Sequence, residues 1–122
     1  MAKRVDSTVL DTGLNVIKTG AIRMTVCSAE PTNMAAVAGV TLAEVTMAST
    51  DMTVGAGTGQ GRKLTTTAKN SVPILTTGNA THIALHNNST VLYYVTTCAL
   101  QSLTAAGTVN IPAWTIEIQA PT

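Results

Sequence analysis

The spacing of apolar and polar positions changes after residue 20. Before that point Val9, Leu10, Leu14 and Ile17 recur at three- and four-residue intervals, behind an Asp6-Ser7 pair suited to capping a helix and ahead of Gly20, which closes the segment. One short amphipathic helix is expected there, with Gly13 tolerated inside it. From Ala21 onward the period is two: Ile22, Met24 and Val26 alternate with Arg23, Thr25 and Cys27. This is the rhythm of a strand, and Glu30-Pro31-Thr32 stops it.

Residues 33–52 alternate weakly. Residues 40–45 form the best strand in this stretch, after an Ala-rich turn of helix. The run from Val54 to Gly61 carries four glycines and is expected to be a loop, because glycine loses the most chain entropy on ordering. Four strands follow, over 62–68, 72–77, 80–86 and 91–100. Their separators, Lys69-Asn70-Ser71, Gly78-Asn79 and Asn87-Asn88-Ser89-Thr90, are turn formers, so the strands are expected to be antiparallel neighbours joined by hairpins. Ala105-Ala106-Gly107 marks another turn, and 108–111 and 115–119 complete the set around Pro112, which signals a bulge or an edge. About seven to eight short strands at this spacing predict an all-β antiparallel sandwich or barrel. The expected organisation is an N-terminal arm and helix over 1–20, then one β-sandwich domain over 21–122 with its glycine-rich loop at 55–61.

Composition adds a constraint. Trp114, Tyr93 and Tyr94 are the only aromatics, so the core has to be filled by small and branched side chains. Charged residues are 11% of the chain against a usual quarter, and Thr stands where a soluble monomer carries Lys or Glu. Such a surface lacks the like-charge repulsion that keeps copies apart, which favours assembly. A net charge of +1, with Lys3-Arg4 and Arg62-Lys63 the only adjacent basic pairs, argues against a general grip on nucleic acid. Polar residues break the stretch after Lys3-Arg4, so no signal peptide is expected, and no apolar run approaches the roughly 20 residues that span a bilayer. A cytoplasmic site of synthesis follows as an expectation, with Cys27 and Cys98 as buried free thiols unless their strands are neighbours.

Catalytic templates fit poorly. Gly55-x-Gly57-x-Gly59-x-Gly61-Arg62-Lys63 lacks the third glycine of a dinucleotide fingerprint at its required spacing. It also lacks the Lys-Ser/Thr ending of a phosphate loop. His82 and His86 share one strand face about 13 Å apart, too far to bind one metal. The six carboxylates are unpaired along any strand, and no Gly-x-Ser-x-Gly elbow occurs. No enzyme activity, cofactor or metal is therefore expected. Of the adjacent tyrosines one should pack inward and one meet a neighbour, while Trp114 belongs to the core.

Two stretches carry a resemblance. One runs Leu10-Asp11-Thr12-Gly13-Leu14-Asn15-Val16-Ile17-Lys18 into Met24-Thr25-Val26-Cys27-Ser28-Ala29-Glu30-Pro31-Thr32. The other is Gly78-Asn79-Ala80-Thr81-His82-Ile83-Ala84-Leu85 with a closing Leu103-to-Trp114 hairpin ending Ile111-Pro112-Ala113-Trp114. Together they cover about half the chain, and the pattern resembles small virion accessory proteins of tailed bacteriophages. That resemblance implies a structural role, foremost as a head decoration or cement protein on the capsid surface. Its partners would be the major capsid protein and copies of itself, with trimers favoured, and neither nucleic acid nor membrane. The alternative it implies is a tail-tip or fibre-associated protein touching a host receptor or glycan. The candidate contact residues are Lys3, Arg4, Gly57, Gly59, Arg62, Lys63, Tyr93 and Tyr94.

Overall fold

The computed structural model describes residues 6–57 and 61–119. The chain is all-β in class, with nine strands in three antiparallel sheets among these residues and one main helix at the N-terminus. That helix, α1 (Ser7–Gly20), begins where Asp6 accepts the Thr8 N–H at 2.8 Å and ends where the Ala21 N–H returns to the Ile17 carbonyl. Its buried stripe is Leu10 and Leu14, with Ile17 packed beside them. Val9, expected on that stripe, is exposed, because one position along a helix turns the side chain by about 100°.

Strand β1 (Arg23–Cys27) lies between β2 (Thr41–Thr46) and β6 (Gly78–His86), and β7 (Leu92–Leu103) pairs with the far edge of β6. A two-turn helix, α2 (Met34–Val40), precedes β2 as the Ala-rich pattern indicates, with Asn33 accepting the Ala36 N–H at 2.9 Å. The second sheet is β3 (Met52–Ala56), β4 (Arg62–Thr66) and β9 (Thr115–Ile118), and α1 lies against β3 and β4. The third is the pair β5 (Lys69–Pro73) and β8 (Thr108–Ile111). Ala43 of β2 bridges Ile74, just past β5, and the Leu42 carbonyl accepts the N–H groups of Leu75 and Thr76. The strand path therefore continues β7-β6-β1-β2-β5-β8 and curls on itself.

Four expectations are corrected. Val54, Gly55 and Ala56 are not loop: they pair with Leu64, Lys63 and Arg62, because a partner strand supplies the hydrogen bonds that local entropy disfavours. Lys69-Asn70-Ser71 is not a hairpin turn: Ser71 adopts a positive φ of 55° inside β5 and donates its N–H to Asn110 Oδ1, so turn chemistry makes an irregularity in the strand. Gly78-Asn79 opens β6, where the space a Gly78 side chain would need is occupied by Leu42. As a result neither β4 and β5 nor β5 and β6 form hairpins. The closing hairpin is also absent: β7 and β8 are linked by the Ala105-Ala106-Gly107 turn but pair with β6 and β5 instead of each other. Asn87-Asn88-Ser89-Thr90 does form a tight turn, with Asn87 Oδ1 accepting the N–H groups of Ser89, Thr90 and Val91.

One core runs through all the sheets. It holds Leu14 from the helix, Met24 and Val26 from β1, Leu64 from β4, Leu85 from β6 and Ile116 from β9. Methionines fill space that a richer aromatic complement would take, with Met24, Met47 and Met52 all buried. Leu14→Ala is expected to cost about 2–5 kcal/mol through lost burial and a residual cavity, whereas Val16→Ala on the exposed face should stay within about 0.5 kcal/mol. Urea unfolding of the two variants checks this, and equal midpoints would show that α1 is not docked through Leu14.

Candidate functional site

The most polar buried cluster forms where β1, β2 and β6 meet. Their register sets Arg23 opposite His86 on one side and Thr25 opposite Glu44 on the other. His86 is 1% exposed and both ring nitrogens are engaged. Nδ1 accepts the Asn88 N–H at 2.9 Å, so the ring proton lies on Nε2, which donates to Thr25 Oγ1 at 2.7 Å. Burial holds His86 below its ordinary pKa of 6.5, Glu44 pulls upward and Arg23 adds to the depression. Arg23 Nη1 meets Glu44 Oε1 at 2.7 Å. With its hydrogen bonds satisfied inside the fold, the neutral imidazole ties the β6–β7 turn to β1.

His82, four residues along, is half-buried, with Nδ1 2.8 Å from Thr81 Oγ1, and lies opposite Cys27. Among the described residues no group of three His, Cys, Asp or Glu side chains could hold a metal ion. No helix among them is long and apolar enough to cross a membrane. Cys27 and Cys98 are free thiols. Their strands are separated by β6, which puts them about 9–10 Å apart in the sheet, beyond disulfide reach. Burial raises both thiols, Cys27 to about 11 with the nearby Cys98 contributing, so each stays protonated at neutral pH.

The candidate contact residues are dispersed. Lys3, Arg4 and Gly59 lie outside the described residues. The Gly57 N–H donates to the Gly61 carbonyl at 2.9 Å, which closes the β3–β4 connection. Arg62 clasps Asp11 of α1 through Nε at 2.6 Å and Nη2 at 3.3 Å. Lys63 is half-buried on β4, opposite Gly55 and Glu117. Tyr93 packs where a Gly20 side chain would sit, so glycine at the helix end admits its ring. Tyr94 turns inward and stacks on Trp114 with centroids 6.1 Å apart.

Residues that the pattern did not single out make a more coherent surface. The twelve residues of β7 include no charge and no proline, and Leu100 stands 71% exposed on it. Beside this strand lies a cleft of about 650 Å³ walled by β7 on one side and residues 109–115 on the other. Trp114 lines it while its indole N–H reaches Met24 Sδ at 3.4 Å, so the single tryptophan is both core and wall. The sequence signal was present in the uncharged run 91–103, which alternation alone reads as an ordinary strand.

No known protein family, curated protein or solved structure matches the chain.

The His86 geometry makes stability depend on pH. Above about 6.5 the imidazole is neutral in both states. As pH falls through that value the unfolded chain takes up a proton that the folded chain resists, so stability is lost until the lower folded pKa is passed. Urea midpoints should fall between pH 7.5 and 5.5, above the range where carboxylates titrate. His86→Gln should be less stable at pH 7.5 and lack that slope. An unchanged slope in the variant would assign the dependence to another group.

Proposed function

We propose that this chain is a non-enzymatic structural protein that works by binding other protein surfaces, and that its setting is the phage virion, as a decoration protein on the capsid lattice. The observation that carries the binding role is the disposition of charge. Arg62 is held by Asp11, Arg23 by Glu44, and Lys69 by Asp51 at 3.0 Å. Each pair joins separate elements of the fold, so scarce charge ties the domain together. What remains facing outward on β7 is neutral, with exposed Leu100 and the cleft beside it. A neutral β edge of this length invites pairing with another chain.

The virion setting rests on the pattern resemblance in 10–32 and 78–114. The proposed partners are the major capsid protein and copies of the chain itself, with trimers favoured. Weak contacts suffice on a lattice, because linked copies raise one another's effective concentration. Within this reading Lys63 and Gly57 on the β3–β4 side remain candidate lattice contacts, together with Lys3 and Arg4. Tyr93, Tyr94 and Arg62 act by holding the fold.

Sedimentation of the purified protein with expanded capsids stripped of accessory proteins, and separately with tails, tests the proposal. Saturable binding to heads at a lattice-matched copy number, with raised heat resistance of the particle, is the expected result. Binding to tails alone would replace it with the fibre-associated role. Binding to neither would remove the virion setting.

A further inference from the structure

We propose that the cleft beside β7 is a binding site for a neutral, largely apolar small molecule of a few rings. This goes beyond the assembly role and does not depend on it.

The cleft is a pocket whose two ends are spanned. One wall is β7 through residues 96–99, the other is residues 109–115, and Val26 of β1 with Ala80 and Ile83 of β6 form the floor. At one end the Ala105-Ala106-Gly107 turn joins the walls, held where the Ala106 N–H donates to the Ile74 carbonyl. At the other end Trp114 stacks on Tyr94 of β7, its indole N–H directed at Met24 Sδ. These ends limit the length of an occupant, whereas the open side admits a compact one. The volume of about 650 Å³ lies inside the range of about 300–1,000 Å³ usual for small-molecule sites. A cavity of about 150 Å³ already takes one benzene ring, so this space is scaled to a few rings.

The space exists because several lining side chains are small. Ala80, Ala99 and Ala113 border it, and a chain with three aromatic residues has few rings with which to fill such a gap.

The chemistry of the occupant follows from the lining. Val26, Ile83, Leu103, Val109, Ile111 and Trp114 present apolar surface, against which ligand carbon is favourably buried. Thr97, Gln101 and Asn110 add neutral hydrogen-bonding groups. Asn110 Oδ1 is taken by the Ser71 N–H at 2.9 Å, which leaves its amide N–H groups to donate to a ligand carbonyl or hydroxyl. The lining includes no Asp, Glu, Lys, Arg or His. Arg23, Arg62 and Lys69 are paired with carboxylates elsewhere in the fold, so a charged ligand would give up hydration without meeting a counter-charge.

The probe is N-phenyl-1-naphthylamine, a neutral fluorophore, titrated against the full chain beside 8-anilinonaphthalene-1-sulfonate, which has the same rings and one negative charge. Trp114, the only tryptophan, reports occupancy by energy transfer to the bound fluorophore. The expected result is saturable binding of the neutral probe with loss of Trp114 emission, and affinity for the sulfonate weaker by about tenfold or more. Bound probe should also slow alkylation of Cys98, which lines the cleft, by iodoacetamide at alkaline pH, read by mass spectrometry. Thr96→Phe, which fills the pocket, should weaken binding by about tenfold or more, while Thr53→Phe at an exposed position of β3 should leave it unchanged. Equal affinity for the two fluorophores, or binding that leaves Cys98 alkylation unchanged, would place the probe on general apolar surface and overturn the proposal. So would absence of saturable binding, or full affinity in a folded Thr96→Phe variant. If that variant does not fold, protection of Cys98 in the unaltered chain decides alone.

Discussion

The pairing of β1 with β6 joins residues about sixty positions apart, and most of the structure is arranged around it. β1 is hydrogen-bonded along both edges and covered on both faces, so its five residues cannot shift register without moving Thr25 from His86, Arg23 from Glu44 and Met24 from Trp114. A one-residue slip would turn Met24 and Val26 out of the core and drive Thr25 and Arg23 into it. The cluster around His86 opposes such a slip through fixed hydrogen bonds, whereas methionine and valine would tolerate some movement. Polar contacts thus set the register, and apolar burial supplies the driving force.

Local signals in the sequence were legible where one residue type decides one backbone feature. Asp6 caps a helix, Asn87 builds a turn, and the two-residue alternation of 22–27 makes a strand. What was not legible depended on distant partners. Ser71 is turn-forming in isolation but becomes a kink in β5 once Asn110 reaches its N–H, and Gly55 is extended because Lys63 lies beside it. The candidate site suffered most. Arg62 reads as a free basic residue at the end of a glycine loop, and only the docking of α1 reveals Asp11 fifty-one positions earlier as its partner. The absence of a closing hairpin was hidden for the same reason: a turn between two strands normally predicts their pairing, and nothing local to 104–107 records that β7 pairs with β6 and β8 with β5.

The shortage of charge and the shortage of aromatics act together. With three aromatic rings the interior is filled by Leu, Ile, Val and Met over several small sheets, and a curled sheet encloses such a core with little bulk. The few charges are then placed between elements, Asp11 to Arg62 across α1 and β4, Arg23 to Glu44 across β1 and β2, Asp51 to Lys69 ahead of β3 and at the start of β5. Partly exposed pairs of this kind contribute modestly to stability. Their larger effect is on the remaining surface, which is left neutral.

That neutrality bears on the outer edge of β7. Soluble β proteins ordinarily blunt an open edge with lysine, proline or a covering loop. β7 has a bulge but neither charge nor proline, and the facing β8 belongs to a two-stranded sheet held at Ala43 and Ile74. Among the described residues the outer edge of β7 is paired by no strand of this chain and carries none of these devices except the bulge, so the neutral surface left by the internal ion pairs coincides with an unprotected strand edge.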